Sequence, residues 1–228
     1  MQSGGVSSGI TQELKEEMLK HGNFTQDKIA EHYDELSSHY EHIYLTVGYH
    51  DPLKCAELAQ EIFGEKAAEV EIFDMGCGTG LVGQYLKERG FTKVVGVDAS
   101  KGMLDKAEEK KSYSELKELF LGLPETFPRE YHNRFDAITA AGILAEGHLD
   151  NKVFDEMLLA LKTGGYAIFA TRTMYLTQYS YGERIAELTE QAKWKLVKEI
   201  TFNRYDQIEE AVGRFSKVEI KGYVYQKL

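Results

Sequence analysis

The chain has 228 residues, of which 43% are hydrophobic and 28% charged, and its formal net charge is −10. A chain of this length and composition suits one globular domain and is short for two. The negative charge opposes binding to a phosphate backbone, which depends on Lys and Arg. No run approaches the roughly 20 apolar residues of a membrane span. Composition therefore favours a small-molecule or protein partner over a nucleic acid or a membrane.

The N-terminal residues and the cysteines predict a cytoplasmic protein. Residues 1–10 are rich in Gly and Ser and lack the apolar stretch of a signal peptide, so we interpret residues 1–24 as a flexible or partly helical tail. Cys55 and Cys77 are too few for a disulfide framework or a zinc site. Histidine spacing indicates no metal site either. We therefore expect a cytoplasmic location and no bound metal.

Two helices are predicted before the pattern changes. Apolar residues recur at helical spacing over 25–44, which predicts one helix there. A second helix is predicted over 51–63, with Asp51 as its N-cap and Pro52 at its first position. We assign residues 25–66 to a helical cap and residues 25–228 to one domain.

Beyond residue 66, predicted strands and helices alternate. The strands are expected at 70–74, 93–98, 117–121, 135–140 and 166–171, and the helices at 81–89, 100–113, 151–162 and 182–194. Residues 195–204 and 217–226 look like a closing pair of strands without a long helix between them. This alternation predicts a parallel sheet with helices on both faces, and the closing pair predicts an antiparallel edge. We therefore predict an α/β fold, a three-layer Rossmann-like sandwich with a seven-stranded, mostly parallel sheet and an antiparallel C-terminal strand.

The most informative segment joins the first predicted strand to the following helix and reads Ile-Phe-Asp-Met-Gly-Cys-Gly-Thr-Gly over residues 72–80. Gly76, Gly78 and Gly80 allow unusual backbone dihedral angles and a close approach to a ligand. In open α/β sheets, ligands lie outside the carboxyl ends of the strands, where this turn is expected. Asp98 ends the second strand, and a carboxylate there can accept hydrogen bonds from two ribose hydroxyls. The segment therefore predicts a cofactor that contains a nucleoside.

Two cofactor classes fit such a turn. The dinucleotide fingerprint is Gly-x-Gly-x-x-Gly, which brings a pyrophosphate to a helix N-terminus. Here the spacing is Gly-x-Gly-x-Gly and an acid, Asp74, precedes it. A carboxylate repels a pyrophosphate but can bind the ammonium group of a methionine moiety, directly or through water. The charges therefore favour S-adenosylmethionine over NAD, while a tight turn with a buried aspartate is the purely structural alternative.

The same segments resemble the motifs of class I S-adenosylmethionine-dependent methyltransferases. The matching stretches are 74–80, 96–100 with Met103 and Leu104, 134–137 and 162–165. Within that class, stretches 79–82, 98–104, 141–148 and 171–173 are most similar to the methyltransferase-like proteins named after the Williams-Beuren syndrome chromosomal region. The resemblance covers roughly residues 29–205. It implies transfer of a methyl group to O, N or S of an acceptor, with S-adenosylhomocysteine as the product.

The resemblance also implies a set of residues that contact the cofactor. They are Asp74, Gly76, Cys77, Gly78, Gly80, Asp98, Ala99, Met103, Leu123, Ala140, Tyr33 and Tyr40. The glycine turn would line the methionine end, Asp98 would hold the ribose, and Ala99 and Met103 would pack near adenine. Ala140, with the next residue, would face the sulfonium. Leu123 lies near the position that often contacts adenine, although many relatives have an acid in that loop. The two tyrosines would close the pocket as a lid, or pack as core aromatics.

Candidate residues for the chemistry follow the fourth and fifth predicted strands. Methyl transfer is an in-line displacement, so the protein mainly has to position the nucleophile and exclude water. Glu146 and His148 follow the fourth strand, and His148 is either a general base or a structural histidine. Arg172 follows the fifth strand, and it either binds a carboxylate or phosphate of the substrate or neutralises a nearby acid.

The motifs do not identify the chemical class of the methyl acceptor directly. Residues 139–142 lack the Asn- or Asp-Pro-Pro-aromatic signature of enzymes that methylate exocyclic amines of bases or glutamine amides. No Pro-Cys nucleophile of the cytosine-C5 type is present either. We therefore predict a small-molecule acceptor. A protein acceptor, and a module that binds S-adenosylmethionine without catalysis, are the alternatives. The sequence predicts no oligomeric state.

Overall fold

The computed structural model describes residues 10–20, 28–213 and 215–228. Its α-helices are α1 (Gln12–Lys20), α2 (Ile29–Leu36), α3 (Tyr40–Thr46), α4 (Asp51–Phe63), α5 (Leu81–Glu88), α6 (Lys101–Lys110), α7 (Val153–Ala160), α8 (Tyr175–Gln178) and α9 (Tyr181–Glu190). Its strands are β1 (Glu71–Met75), β2 (Lys93–Asp98), β3 (Glu115–Glu118), β4 (Phe135–Ala141), β5 (Leu161–Arg172), β6 (Trp194–Arg204) and β7 (Val218–Lys227). Much of the predicted N-terminal tail, residues 1–9 and 21–24, lies outside the described residues.

The seven strands form one sheet in the order β3-β2-β1-β4-β5-β7-β6. Strands β1 to β5 are parallel, and β7 runs antiparallel to both of its neighbours, β5 and β6. The strand order reverses between β1 and β4, and a crevice at such a reversal is where open α/β sheets bind ligands. The predicted fold class is confirmed, including its antiparallel C-terminal strand.

Each face of the sheet has its own core because neighbouring residues of a strand point to opposite faces. Ile72 of β1 packs in the core under α4 and α5, and Phe73 packs in the core under α7 and α9. The Phe73 ring stacks on that of Phe135, with their centroids 4.6 Å apart. Helices therefore cover both faces, which gives the three layers.

The N-terminal cap differs from its prediction, because α2 and α3 replace the single helix expected over 25–44. Residues 25–27 lie outside the described residues, and a turn at 37–39 separates the two helices. The Ser37 hydroxyl donates a hydrogen bond to the Asp34 carbonyl at 2.8 Å, and such local bonds compete with the helix. The break lets α2 pack on α6 while α3 packs on α1.

Two predicted helices end earlier in the structure, α7 by two residues and α9 by four. Helix α7 ends at Ala160, and β5 begins at Leu161 and continues through Gly164-Gly165, which were expected to stop the helix. A register shift in the pairing of β4 with β5 accommodates this glycine pair. Helix α9 ends at Glu190, and Trp194 begins β6 and fills the core, because its large ring packs better there than on an exposed turn.

Candidate active site

Two cavities meet at the carboxyl ends of the strands. The first, which we call the strand-end cavity, has a volume of about 170 Å³ and lies among the turn after β1, the end of β2, the segment after β3 and helix α2. The second, the tyrosine cavity, has a volume of about 370 Å³ and lies among α2, α3, the loop after β4 and the ends of β5 and β6. Tyr33, Tyr40, Gly142 and His148 line both cavities. The two cavities are therefore halves of one cleft.

The turn after β1 contains three left-handed glycines, with φ of +69° at Gly76, +53° at Gly78 and +88° at Gly80. A Cβ added to Gly78 would meet nothing within 4 Å, so this glycine opens the floor of the strand-end cavity. A Cβ on Gly80 would lie 3.1 Å from Ala107, so this glycine permits close packing of α5 on α6. Gly80 therefore lies outside the described lining of this cavity, whereas Gly76 and Gly78 belong to it.

Asp74 lies beneath the strand-end cavity. Its fully buried carboxylate accepts hydrogen bonds from the Thr139 and Tyr113 hydroxyls, each at 2.7 Å. Burial raises the pKa of this carboxyl to about 6, and the two hydrogen bonds offset that rise only in part. The Tyr113 oxygen in turn accepts the Gly83 N–H at 3.1 Å. Asp74 thus ties β1 to β4 and to α5, and its contact with an ammonium group, directly or through water, stays a prediction.

Asp98 ends β2 and lines the strand-end cavity. Its carboxylate accepts backbone hydrogen bonds from Gly78 at 2.8 Å and Ser100 at 2.9 Å. A carboxylate offers about four acceptor positions, so about two remain for a ligand. Desolvation raises the pKa of this carboxyl, and the backbone donors counter that rise. Among the described residues that line this cavity, Asp98 is the only Asp, Glu, Lys or Arg.

The far end of the strand-end cavity is apolar. Ala99 and Met103 line it, together with residues 119–121, which follow β3 rather than extending it as predicted. Phe120 is 58% exposed and contributes its ring to the cavity wall. Leu123, predicted near adenine, is 48% exposed and lies outside the described lining. The chain turns away after Gly122, which has a φ of +95°.

An acid from a distant helix holds the loop after β3. Glu156 of α7 is 1% exposed, and its carboxylate accepts the backbone N–H groups of Gly122 and Leu123, each at 2.9 Å. Burial raises the pKa of this carboxyl to about 7. Glu156 supports the loop from behind and does not line the cavity. Its one signal in the sequence is its place on the same helical face as Val153 and Ala160.

Two more predicted cofactor residues lie in the core. Ala140 is fully buried and points to the face of β4 opposite to that of Ala141, which does line the strand-end cavity. The Cys77 side chain is 4% exposed, and burial raises the pKa of its thiol. Both residues therefore pack beneath the cleft, and their contact with the cofactor stays a prediction.

Tyr33 and His148 meet where the two cavities join. The Tyr33 hydroxyl lies 2.8 Å from Nε2 of His148, and Nδ1 of the same ring lies 2.8 Å from the Glu146 carbonyl oxygen. A carbonyl can only accept, so Nδ1 carries a proton, and in the neutral ring Nε2 accepts the Tyr33 hydroxyl proton. The ring is 8% exposed. The middle of the cleft therefore holds an oriented hydroxyl and a proton acceptor.

A second contact fixes α2 over the cleft. Oδ1 of Asp34 accepts hydrogen bonds from the Ser100 hydroxyl at 2.6 Å and the Gly102 N–H at 2.7 Å. The Ser100 hydroxyl oxygen also caps α6 by accepting the Met103 N–H at 3.0 Å. Sequence analysis missed Asp34, because an acid beside an aromatic residue on a predicted helix gives no distinctive signal.

The tyrosine cavity has aromatic walls and two cations. Its tyrosines are Tyr33, Tyr40, Tyr44, Tyr49, Tyr175 and Tyr205. Arg204 pairs with the buried Asp51 beside this cavity, and Arg172 lies with its guanidinium carbon 5.3 Å from the centroid of the Tyr175 ring. Glu146 lines the same cavity and is exposed. The structure thus brings together the three predicted chemistry residues, Glu146, His148 and Arg172.

No group of three His, Cys, Asp or Glu side chains in the described part of the chain is arranged to hold a metal ion. None of the helices formed by the described residues has both the length and the apolarity needed to cross a membrane.

Sequence comparison finds a domain match and a curated relative. Residues 72–165 match the family described as "Methyltransferase domain". Human methyltransferase-like protein 27 is 31% identical over 141 residues, which cover 62% of this chain and 56% of that protein. The match therefore spans little more than half the length of this curated relative.

Structural comparison finds methyltransferase folds. The 4+2 cyclase SpnF superposes with a TM-score of 0.64 at 14% identity, over 90% of this chain and 98% of that one. A TehB-like S-adenosylmethionine-dependent methyltransferase from Corynebacterium glutamicum gives 0.53 at 20% identity, over 89% and 98%. At such identities the likeness shows a shared fold. Together with the domain match over residues 72–165 and the curated relative, it supports a class I S-adenosylmethionine-dependent methyltransferase.

Proposed function

We propose that this chain binds S-adenosylmethionine in the strand-end cavity and transfers its methyl group to an oxygen, nitrogen or sulfur atom of a small molecule in the tyrosine cavity. The observation that carries the proposal is the continuity of the two cavities at Tyr33 and His148. A cofactor in one half and an acceptor in the other would meet beside an oriented proton acceptor.

Three features of the strand-end cavity suit this cofactor. Gly78 leaves open the space that a Cβ would fill. Asp98 keeps acceptor positions for two ribose hydroxyls after binding its two backbone donors. No Lys or Arg stands among the described lining residues, which suits a nucleoside without phosphate. We therefore expect NAD to bind more weakly, because its pyrophosphate would meet no compensating cation among the described lining residues.

The work left to the protein is positioning and the exclusion of water. When bound, S-adenosylmethionine supplies an electrophilic methyl group, so the acceptor atom has only to be held in line with it. Helix α2 covers the cleft, tied on one side by Tyr33 to His148 and on the other by Asp34 to Ser100 and Gly102. A cleft covered in this way keeps water from the reacting atoms.

An acceptor that carries a proton at neutral pH also needs a base. We infer that the Tyr33 oxygen takes this proton while the Tyr33 hydroxyl passes its own proton to Nε2 of His148. The hydrogen bond from Nδ1 to the Glu146 carbonyl holds the ring in the tautomer that can accept. His148 then acts as the final proton acceptor, and Tyr33 contacts the acceptor.

A second candidate function is binding of the cofactor without turnover. The Tyr33–His148 hydrogen bond favours it, because Nε2 of His148 is engaged by a hydroxyl and is not open to an acceptor. A protein acceptor is disfavoured by the tyrosine cavity, whose aromatic walls suit a small molecule.

Labelled cofactor separates these functions. The purified chain is incubated with methyl-labelled S-adenosylmethionine and, separately, with the small-molecule, protein and RNA fractions of a cell extract. We expect label in the small-molecule fraction, with one S-adenosylhomocysteine formed per methyl transferred. Label only in protein would assign a protein acceptor, and binding of S-adenosylhomocysteine without transfer would assign the binding function. If the chain did not bind S-adenosylhomocysteine, the proposal would be refuted.

The proton relay has its own test. Tyr33→Phe keeps the ring and removes the hydroxyl, so we expect kcat on a protonated acceptor to fall roughly 10- to 100-fold. KM for S-adenosylmethionine should stay within about twofold, because the proposed relay brings the hydroxyl into contact with the acceptor and not with the cofactor. Tyr166→Phe is the control, since that hydroxyl lies away from the cleft and accepts a hydrogen bond from Gln226. An unchanged kcat with an unchanged pH profile would make the Tyr33 hydroxyl structural.

A further inference from the structure

The hydrogen-bond donors that line the tyrosine cavity indicate the charge of the acceptor. We propose that the acceptor is a small organic anion with a flat apolar body, whose carboxylate or phosphate binds Arg172 and the hydroxyls around it. This inference rests on the proposed function only in calling the ligand a methyl acceptor, because the binding site itself is argued from the cavity alone.

Arg172 is a cation with unused hydrogen-bond donors. Its guanidinium lies over the Tyr175 ring, and it forms no hydrogen bond and no ion pair with any residue that the structure describes. Stacking on an aromatic face orients the plane of the group without using its N–H donors. A guanidinium presents those donors as a fork that matches the oxygens of a carboxylate or phosphate. Arg172 is therefore oriented and free to bind an anion.

The other cation of the cavity is already neutralised. Arg204 is 5% exposed, and its Nε donates to Oδ1 of the fully buried Asp51 at 2.9 Å, while Nη2 contacts the second carboxylate oxygen. The pair contributes no net charge to the cavity. Glu146, the acid among the described lining residues, lies exposed and bonds the Tyr179 hydroxyl. Among the described lining residues, Arg172 is therefore the cation without an ion-pair partner, and Glu146 adds one carboxylate to the same cavity.

Three tyrosine hydroxyls add neutral donors to the same cavity. Tyr40, Tyr49 and Tyr175 line it, and no described residue forms a hydrogen bond with any of their hydroxyls. Desolvation raises the pKa values of Tyr40 and Tyr49 well above 10, which keeps both hydroxyls protonated. A protonated hydroxyl in the same cavity can donate a hydrogen bond to an anionic oxygen. These donors thus add to the charge of Arg172.

The rings determine the shape that fits. Tyr40 stacks on Tyr44 with centroids 4.2 Å apart, and Tyr49 meets Tyr44 edge-on at 5.4 Å. Such walls present flat apolar faces and edges, and aromatic partners pack on them in offset or edge-to-face arrangements. A planar ring with one anionic group therefore satisfies both the walls and the donors. Its nucleophilic atom would lie at the Tyr33–His148 junction.

Matched probes of equal size test the charge requirement. Benzoate and benzamide share a planar ring and differ in charge, so their affinities for the full chain are compared by calorimetry, with and without S-adenosylhomocysteine. We expect benzoate to bind at least about tenfold more tightly than benzamide, because a charged partner strengthens each hydrogen bond. Phenyl phosphate is the third probe. Tighter binding of phenyl phosphate assigns a phosphate group to the acceptor, and tighter binding of benzoate assigns a carboxylate.

A pair of arginine variants assigns the preference to one residue. Arg172→Gln should lower benzoate affinity at least about tenfold and remove its advantage over benzamide. Arg129→Gln is the control, because Arg129 is exposed and lies outside the described lining of both cavities. The melting temperature of each variant reports whether it is folded.

Three results would overturn this inference: equal affinity for benzoate and benzamide, no benzoate binding at millimolar concentration, or undiminished benzoate binding by a folded Arg172→Gln. The proposed function fails separately. If S-adenosylhomocysteine does not bind while benzoate still binds through Arg172, the anion site stands and the methyl-transfer proposal falls. If S-adenosylhomocysteine binds and benzoate does not, only the inference about the acceptor falls.

Discussion

The strand-end cavity and the tyrosine cavity differ in what forms their walls. The first is built largely on the main chain, with left-handed glycines after β1 and a carboxylate at the end of β2 that is held by backbone N–H groups. The second is built from long side chains of α2, α3 and the ends of β5 and β6. The fold therefore determines the first cavity, whereas particular side chains determine the second.

The supports behind the two cavities differ as well. Buried carboxyls, Asp74 and Glu156, stabilise the turn after β1 and the loop after β3 through hydroxyl and backbone donors. The tyrosine cavity instead rests on the ion pair between Asp51 and Arg204. Titration of the two carboxyls should therefore affect the strand-end cavity first.

Filling the floor of the strand-end cavity should have the largest effect. Gly78→Val places a branched side chain in the space that the cofactor needs, so we expect no measurable binding of S-adenosylhomocysteine by calorimetry. The control is Gly64→Val, because Gly64 has the same φ of +53° and also has nothing within 4 Å of an added Cβ. Both variants should lose about 1–3 kcal/mol of stability from backbone strain. Equal loss of binding in both would show that strain, and not filling of the cavity, is responsible.

Removing the ribose acceptor comes next. Asp98→Ala removes two charge-assisted hydrogen bonds to the ligand, so S-adenosylhomocysteine should bind about 100-fold more weakly, or about 3 kcal/mol. Asp105→Ala is the control, because Asp105 is an exposed residue of α6 paired only with Lys101, and such pairs contribute little. Calorimetry on the two variants measures the difference. An unchanged affinity in Asp98→Ala would contradict the assignment of Asp98 to the ribose.

The smallest effect is a pH dependence of stability that comes from Glu156. Its pKa is raised in the folded chain from 4.5 to about 7, so the protonated form is favoured by folding. The resulting stabilisation is complete below the unfolded pKa and is lost as the pH rises through the folded pKa. Between about pH 5 and about pH 8, the free energy of unfolding of the wild type should fall by about 2 kcal/mol relative to Glu156→Gln.

Denaturant unfolding at several pH values measures this difference. Glu190→Gln changes an exposed glutamate of α9 and serves as the control, which should follow the wild-type curve. If Glu156→Gln followed that curve too, Glu156 would not be the group that titrates.

The sequence predicted the sheet, the glycine turn and the position of Asp98, because these depend on local patterns and on chain order. It did not predict the partners of Asp74, since Thr139 and Tyr113 lie 65 and 39 residues away along the chain. It also assigned Gly80, Cys77 and Ala140 to the cofactor, and these residues lie outside the described lining of the strand-end cavity.

The positions of Gly80, Cys77 and Ala140 outside the described lining have a common cause. A motif identifies which loop approaches a ligand, but alternation along a strand and packing between helices decide which of its residues face the cavity. Leu123 illustrates the same point, because the backbone turn at Gly122 directs it outward. Contacts between distant side chains, such as those of Glu156 and Asp34, carry no local signature.

The six tyrosines of the second cavity all lie outside residues 72–165, the stretch that matches the methyltransferase domain. Comparison of that stretch alone therefore concerns the proposed cofactor site and does not include the tyrosines around the proposed acceptor site. An engineer who wished to retarget the protein would leave the central stretch intact and exchange α2, α3 and the residues around 175 and 205. If the proposed function holds, the aromatic walls that select the acceptor would come from the flanks of the chain, and the cofactor turn would come from its central stretch.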